Sequence, residues 1–179
     1  MEYDLDSTEA WFLDRAKRKS PKRLKAVEPI VRPKRKAGPG NSYKNTKTGY
    51  REDLDLVTRS GWESDFLRIC KSYNIDYEYE PYTFPFPVKT GNKGYIPDIY
   101  FPADDSYLEI KGYFDNNSRI KMKRFKKYYP IEFSQLTIVI NKFSKEALKI
   151  SRDLEIPDIL FFQDIVKIFK SKISNWETK

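Results

Sequence analysis

Two short apolar segments, each carrying charge at a fixed place, constrain this chain more than any other feature. The first reads Ile96-Pro97-Asp98-Ile99-Tyr100, and the second reads Leu108-Glu109-Ile110-Lys111-Gly112. Their composition predicts strands over Tyr95 to Phe101 and Tyr107 to Tyr113, joined as a hairpin through Pro102-Ala-Asp-Asp-Ser106. Successive side chains on a strand point to opposite faces. Leu108 and Ile110 therefore take the core face, and Glu109 and Lys111 share the other. Asp98 lies across from them on the paired strand. An idle charge inside an apolar strand is costly, so two carboxylates and an ammonium are expected to meet on a small area of sheet.

The rest of the chain supplies a frame for that hairpin. Trp62, Phe66, Ile69, Cys70 and Tyr73 recur at helical spacing and predict an amphipathic helix over Ser60 to Tyr73. The run Tyr77-Glu-Tyr-Glu-Pro-Tyr-Thr-Phe-Pro-Phe86 alternates aromatics and reads as a strand, with its prolines marking an edge or an irregular end. Gly91 to Gly94 is a turn. After the hairpin, Ser118 to Tyr129 reads as a helix with Met122, Phe125 and Tyr129 on its buried side, and Pro130 ends it. Gln135 to Ile140 is a buried strand, Ser144 to Ser151 a short helix, Ile159 to Phe162 a short strand, and Gln163 to Ile173 a final helix. The expected class is α/β, in the order helix, three strands, helix, strand, with a further strand and helix appended.

Charge density divides the chain. From Arg15 to Lys36 about half of the residues are Lys or Arg, interrupted by Pro21, Pro29 and Pro33. Such a stretch repels itself and has little to bury. Residues 1–55 are therefore expected to form a basic, largely extended N-terminal arm, and residues 56–179 the folded domain. Trp11 and Phe12 mark a place where the first residues form a short helix or dock. The net charge of +8 points to an anionic partner, usually nucleic acid. In the arm, Arg15, Lys17, Arg18, Lys19, Lys22 and Arg23 are the candidate phosphate contacts; a solvated tail or a targeting signal is the plainer alternative.

Cys70 is the one cysteine, and there is no histidine. An intrachain disulfide, a His/Cys zinc site and any Ser-His-Asp or Cys-His catalysis are thereby excluded. Acid–base or metal chemistry falls to carboxylates, Lys or Tyr. Apolar runs such as Ile138-Val139-Ile140 are far shorter than the roughly 20 residues a membrane helix needs, so no membrane contact is expected.

The hairpin cluster has a chemical use that needs no histidine. Mg²⁺ and Mn²⁺ take oxygen ligands, commonly one or two carboxylates with water and substrate phosphate. Asp98 and Glu109 supply carboxylates, and the backbone carbonyl of Ile110 is a candidate third oxygen. A metal there polarises the scissile phosphate and acidifies a bound water. Lys111 then orients that water or stabilises the developing charge.

Pro97-Asp98, a ten-residue gap, and Glu109-Ile110-Lys111 resemble the signature of the PD-(D/E)XK nuclease superfamily. The resemblance covers residues 59 to 140 and implies a restriction-endonuclease-like αβββαβ core, a mixed sheet flanked by helices. It also implies a further catalytic glutamate on the first helix, where Glu63 stands, followed by Tyr79-Glu80-Pro81. In these details the chain looks like phage and mobile-element members: TnsA-like transposon endonucleases, phage homing endonucleases and T4-type head-completion proteins. In that fold the helix after the motif flanks the site, which makes Arg119, Lys121 and Lys123 candidate DNA contacts. Location in a bacterial host's cytoplasm, or on a virion, follows from the same resemblance.

Several of these residues have a second reading. Ser60-x-x-Glu63 is also a capping box, in which Glu63 bonds back to the helix's first amides. Glu80 is an acid near the site or simply a strand residue. Tyr113 meets substrate or packs on the sheet. Cys70 is expected in the core. Two functions follow: a metal-dependent DNA endonuclease working through Asp98, Glu109 and Lys111, or a phage head-completion, neck or other DNA-binding assembly protein built on the nuclease fold. Phage structural or recombination proteins are the expected partners besides DNA. One chain carries one site, so a double-strand cut calls for a homodimer, a partner or two events.

Overall fold

The computed structural model describes residues 5–18, 29–32, 48–91 and 93–178. Its elements are α1 (Leu5–Lys17), β1 (Ile30–Val31), β2 (Gly49–Arg51), β3 (Leu56–Thr58), α2 (Gly61–Ser72), β4 (Glu78–Tyr79), β5 (Tyr82–Pro85), β6 (Gly94–Tyr95), β7 (Ile99–Phe101), β8 (Ser106–Lys111), α3 (Asn116–Tyr128), α4 (Pro130–Phe133), β9 (Leu136–Ile140), α5 (Lys145–Asp153), β10 (Asp158–Phe161) and α6 (Phe162–Phe169). Five strands form the main sheet in the order β10-β9-β8-β7-β4. It is mixed: β10, β9 and β8 run parallel, while β8–β7 and β7–β4 pair antiparallel. This is the expected helix, three strands, helix, strand core, with β10 and α6 appended beyond β9.

Alternation along the strands sorts the core into two layers. Ile99, Leu108, Ile110 and Val139 face a cluster that includes Phe12 of α1, Phe66, Leu67 and Ile69 of α2, and Ile165 and Phe169 of α6. Tyr100, Tyr107, Ile138 and Ile140 face the other, with Met122 and Phe125 of α3, Phe133 of α4 and Ile150 of α5. Helices thus cover both faces, as a sheet with parallel strands requires. Each fully buried Phe, Leu or Ile contributes about 1.5–3 kcal/mol.

The helix ends follow local chemistry. Ser60 caps α2 by accepting the Glu63 amide, Asp115 caps α3 by accepting the Ser118 amide, and Ser144 caps α5 by accepting the Ala147 amide. Pro130 cannot continue α3 and instead opens α4.

Three expectations change. The strand expected over Tyr77 to Phe86 breaks at Glu80, whose φ is 45°, and Pro81 follows. Its first half, β4, edges the main sheet; its second half, β5, is the middle of a separate sheet ordered β1-β5-β6. The strand expected over Tyr95 to Phe101 is likewise divided between β6 and β7 around Pro97, which has no amide to donate. Lastly, the basic stretch begins inside the folded body. Phe12 is fully buried against Phe66 and Phe169, and Trp11 donates to Asp158 at 3.0 Å. Residues 19–28 and 33–47 of the expected arm lie outside the described residues, Lys19, Lys22 and Arg23 among them.

Candidate active site

The hairpin register brings the charged residues together. Ile99 pairs with Leu108 and Tyr100 with Tyr107, so Asp98, one step before β7, sits at the level of Glu109. Asp98 is buried, and its Oδ2 accepts the Ile110 amide at 2.7 Å. Glu109 is buried on the same face; one oxygen accepts the Tyr95 hydroxyl at 2.8 Å and the other is bonded to the Lys111 ammonium. Lys111, at the last position of β8, keeps 26% of its side chain exposed. It is therefore anchored by a buried carboxylate and partly exposed.

The electrostatics of this corner are unbalanced. Burial, then the neighbouring Glu109 and Glu63 charges, push the Asp98 carboxyl well above its ordinary value, and the Lys111 charge and the Ile110 amide only partly oppose them. Burial works against the Lys111 charge, but Glu109 and Asp98 outweigh it and hold its pKa above the ordinary lysine value. The Tyr95 phenol is pushed far up by burial and by Glu109, so it remains a donor to that carboxylate. Asp98 is thus the group of this corner whose charged form burial and its acidic neighbours disfavour.

Glu63 is fully occupied as a cap. It is buried; Oε2 accepts the Arg59 amide at 2.9 Å and the Tyr79 hydroxyl, and Oε1 accepts the Ser60 hydroxyl at 2.8 Å. Its charge is felt by Asp98 and Lys111, yet among the described residues no bond joins it to either. Behind it lies an arrangement the letters did not announce. The buried Glu80 carboxylate is held by Arg59 at 2.6 Å and Arg32 at 2.8 Å, and its amide donates to the Asp98 carbonyl at 2.8 Å. Arg59 keeps its charge against burial through Glu80, Tyr79, Asp98 and Glu63. Tyr95 and Tyr79 were missed as well. The usable signal was that a buried tyrosine needs a partner for its hydroxyl, and Glu109 and Glu63 were the acids at hand. A cleft of about 540 Å³ lined by Arg32, Leu54, Tyr77, Tyr79 and Glu80 adjoins this cluster, but Asp98, Glu109 and Lys111 are not among its walls.

The candidate phosphate contacts divide. On α3, Lys123 is exposed, Arg119 and Lys121 are half-buried, and the Arg119 Nε is buried without a hydrogen-bond partner among the described residues. Lys111 and Lys121 both act on Asp115, the cap of α3, which places that helix's first turn beside the Lys111 charge. The α1 cations stand elsewhere. Arg15 is buried, its guanidinium 3.8 Å over the Trp11 ring and bonded to the Ser106 hydroxyl at 2.8 Å. Ser106 begins β8 and Lys111 ends it, a separation of roughly 17 Å along the strand. Arg15 is thus a packing residue while α1 is docked, because Trp11 and Phe12 carry it into the body. Arg18 pairs with Asp14 and Asp104, and Lys17 is exposed. Cys70 is buried in the core as expected, and burial pushes its thiol up. Tyr113 is exposed.

No family model matches the chain, and no solved structure matches it. Over 72 residues it is 29% identical to Endonuclease I of Escherichia phage T7, a stretch covering 40% of this chain and 48% of that protein. The chain thus spans about half the length of the curated relative it matches, and what it shows is similarity to a phage nuclease.

Proposed function

We propose that this chain is a metal-dependent DNA endonuclease of the PD-(D/E)XK type, with Asp98, Glu109 and Lys111 as its catalytic residues. The observation that carries the reading is the convergence of those three side chains at one end of the β7–β8 hairpin, with Lys111 held charged against Glu109. Partial similarity to a phage endonuclease supports the same reading.

The donor set fits Mg²⁺ or Mn²⁺. Asp98 and Glu109 are hard oxygen donors, and burial first, then the Glu109 and Glu63 charges, disfavour the bare Asp98 carboxylate. Among the described residues no three acidic side chains form a ready-made cage. Two carboxylates, with the Ile110 carbonyl, water and substrate completing the shell, match how Mg²⁺ is commonly held. When bound, the ion supplies Lewis-acid polarisation of the phosphate and a more acidic water.

The remaining roles belong to the chain. The Glu109 and Asp98 charges favour the protonated form of Lys111, so its role here is that of a cation and donor toward phosphate oxygen or attacking water. Tyr95 fixes one Glu109 oxygen and the Ile110 amide fixes one Asp98 oxygen, which keeps both carboxylates in one rotamer. Water attacks phosphorus and gives up a proton to solvent, the bond to the leaving oxygen breaks, and that oxygen takes up a proton from solvent. Arg119, Lys121 and Lys123 hold flanking phosphates. Glu63 supports the site as the cap that orients α2 and as a nearby negative charge.

The test is cleavage of supercoiled plasmid and of single-stranded DNA with Mg²⁺ or Mn²⁺, beside Asp98→Ala and Lys111→Ala. Cleavage that both substitutions abolish while DNA binding persists is the expected result. No cleavage on any substrate, with binding unchanged by the substitutions, would replace this reading with a DNA-binding assembly protein.

A further inference from the structure

Phe143 and Tyr113 are 78% and 73% exposed, in a chain that buries most of its aromatic rings. Single exposed apolar side chains are ordinary, so exposure alone says little. Position says more. Strands β8 and β9 are parallel and in register, with Lys111 paired to Ile140. The loops that follow them begin side by side, about 5 Å apart. Tyr113 is two residues beyond Lys111, and Phe143 is three beyond Ile140. Both rings therefore stand at the end of the sheet that carries the candidate site.

The loop that carries Phe143 is braced by hydrogen bonds. The Phe143 amide donates to the Asn141 side chain at 2.9 Å, and the Lys142 amide donates to the Gln163 side chain at 2.8 Å. Gln163 in turn donates to Asn141 at 3.2 Å, closing the turn. Tyr113 lies between Lys111, anchored on Glu109, and Phe114, which is buried in the core. Among the described residues neither exposed ring stacks on another ring or under a cation. Lys142, half-exposed and bonded to Asp164, and Lys145 lie in or beside the same loop. Exposed aromatic faces near lysines suit one class of ligand: a base that is not held in a duplex, with its own phosphate nearby.

We propose that Tyr113 and Phe143 form a stacking platform for unpaired bases of DNA, next to the scissile phosphate. This deepens the nuclease reading and rests on it. It selects, as the preferred substrate, DNA with a single-stranded gap or end at the cut position. Every base has a π-face, so the platform is indifferent to sequence. A stacked base is worth about fivefold to about a hundredfold in affinity.

The test is equilibrium binding by the full chain in EDTA, where nothing is cut. The probes are a blunt duplex and the same duplex with a short single-stranded gap carrying 2-aminopurine, whose fluorescence is quenched by stacking. The expected result is that the wild type prefers and quenches the gapped probe. Tyr113→Ala with Phe143→Ala should lower that affinity at least about fivefold and restore fluorescence, leaving blunt-duplex binding unchanged. Tyr113→Phe with Phe143→Tyr should keep both. Both rings are exposed, so matched melting curves will show that the variants fold. Equal losses on both probes would overturn the platform, as would an unchanged quench in the double alanine variant. Plasmid cleavage in Mg²⁺, measured in parallel, separates the two ideas. A variant that still cuts but no longer quenches upholds both; a wild type that quenches and never cuts upholds the platform and overturns the nuclease.

Discussion

Glu63 and Asp65 stand two residues apart on α2, and both are buried, yet they belong to clusters of opposite character. Asp65 accepts from the Glu177 amide at 2.8 Å, the Thr178 amide at 3.0 Å and the Thr178 hydroxyl at 2.7 Å. Arg68 joins it to Asp53 at 2.6 Å and Glu177 at 2.9 Å, and Arg51 grips Glu177 with two bonds of 2.7 Å. The Arg68 bond lowers the Asp53 pKa; burial opposes the Glu177 charge, but Arg51 and Arg68 prevail and lower its pKa too. On the other side of the helix, Glu63, Asp98 and Glu109 share Lys111 and a neighbouring arginine already committed to Glu80. There the Asp98 pKa rises. Carboxylates and cations of the same types fasten the chain in one place and leave unmet charge in the other. The difference lies first in burial, which dominates at Asp98, and then in the bidentate arginine that reaches Asp53.

Removing the central cation of the balanced cluster should give the largest effect on stability. Arg68→Ala leaves Asp53, Asp65 and Glu177 without their shared partner, and breaking such a buried network costs about 3–5 kcal/mol. Urea unfolding followed by circular dichroism measures it; a loss below 1 kcal/mol would show that solvent already screens these ions. The unbalanced cluster should behave in reverse. Asp98→Asn keeps an oxygen for the Ile110 amide and removes a charge that burial disfavours. Cleavage should fall by at least about a hundredfold, the scale of losing one preorganised electrostatic group, while the metal-free melting temperature at neutral pH does not fall. If both activity and stability dropped together, Asp98 would belong with the structural acids.

Glu80 tests the border between the two kinds of cluster. Its carboxylate is buried between Arg32 and Arg59, and its amide holds the Asp98 carbonyl. Glu80→Ala should cost about 1–3 kcal/mol for the donors left behind. It should also reduce kcat with KM nearly unchanged, and less severely than Asp98→Asn. A change in KM alone would mean that Glu80 meets substrate, and is no positioning residue.

Residues that answer one another over short sequence distances were legible. A period of two puts Glu109 and Lys111 on one face, and a hairpin of ordinary length sets Asp98 opposite, so the meeting of these three side chains in the candidate site follows from local geometry. The Ser60–Glu63 capping box is legible for the same reason. Partners brought together by tertiary packing were not. Nothing near Asp65 in the sequence points to Glu177 and Thr178. Arg15 reads as a phosphate contact because its neighbours are basic, although Trp11 and Phe12 dock its helix and bury it. The break at Glu80 escaped because a glutamate at positive φ has no signature like that of glycine or asparagine.

Acid titration sharpens the comparison through the smallest effect, one of sign. Asp53 and Glu177 have folded pKa values below their ordinary 3.8 and 4.5. Their contribution to stability is complete above those ordinary values and is lost as pH falls through the folded ones. Asp98 runs the other way: its folded pKa is raised, so its contribution is complete below 3.8 and is lost as pH rises toward the folded value. In the metal-free protein the two clusters therefore tilt the stability curve in opposite directions, the first below about pH 4 and the second above it. Asp98→Asn should remove only the upper tilt, and its advantage over the wild type should shrink to nothing on acidification to pH 4. Mg²⁺ should remove the same tilt from the wild type by binding the folded state, with no effect on Asp98→Asn. Melting curves from pH 3 to pH 8, with and without Mg²⁺, provide the measurement. A substitution that shifted stability equally at every pH would show that Asp98 ionises in the folded chain as freely as in the unfolded one. The charge imbalance that distinguishes the candidate site from the Arg68 network would then not exist.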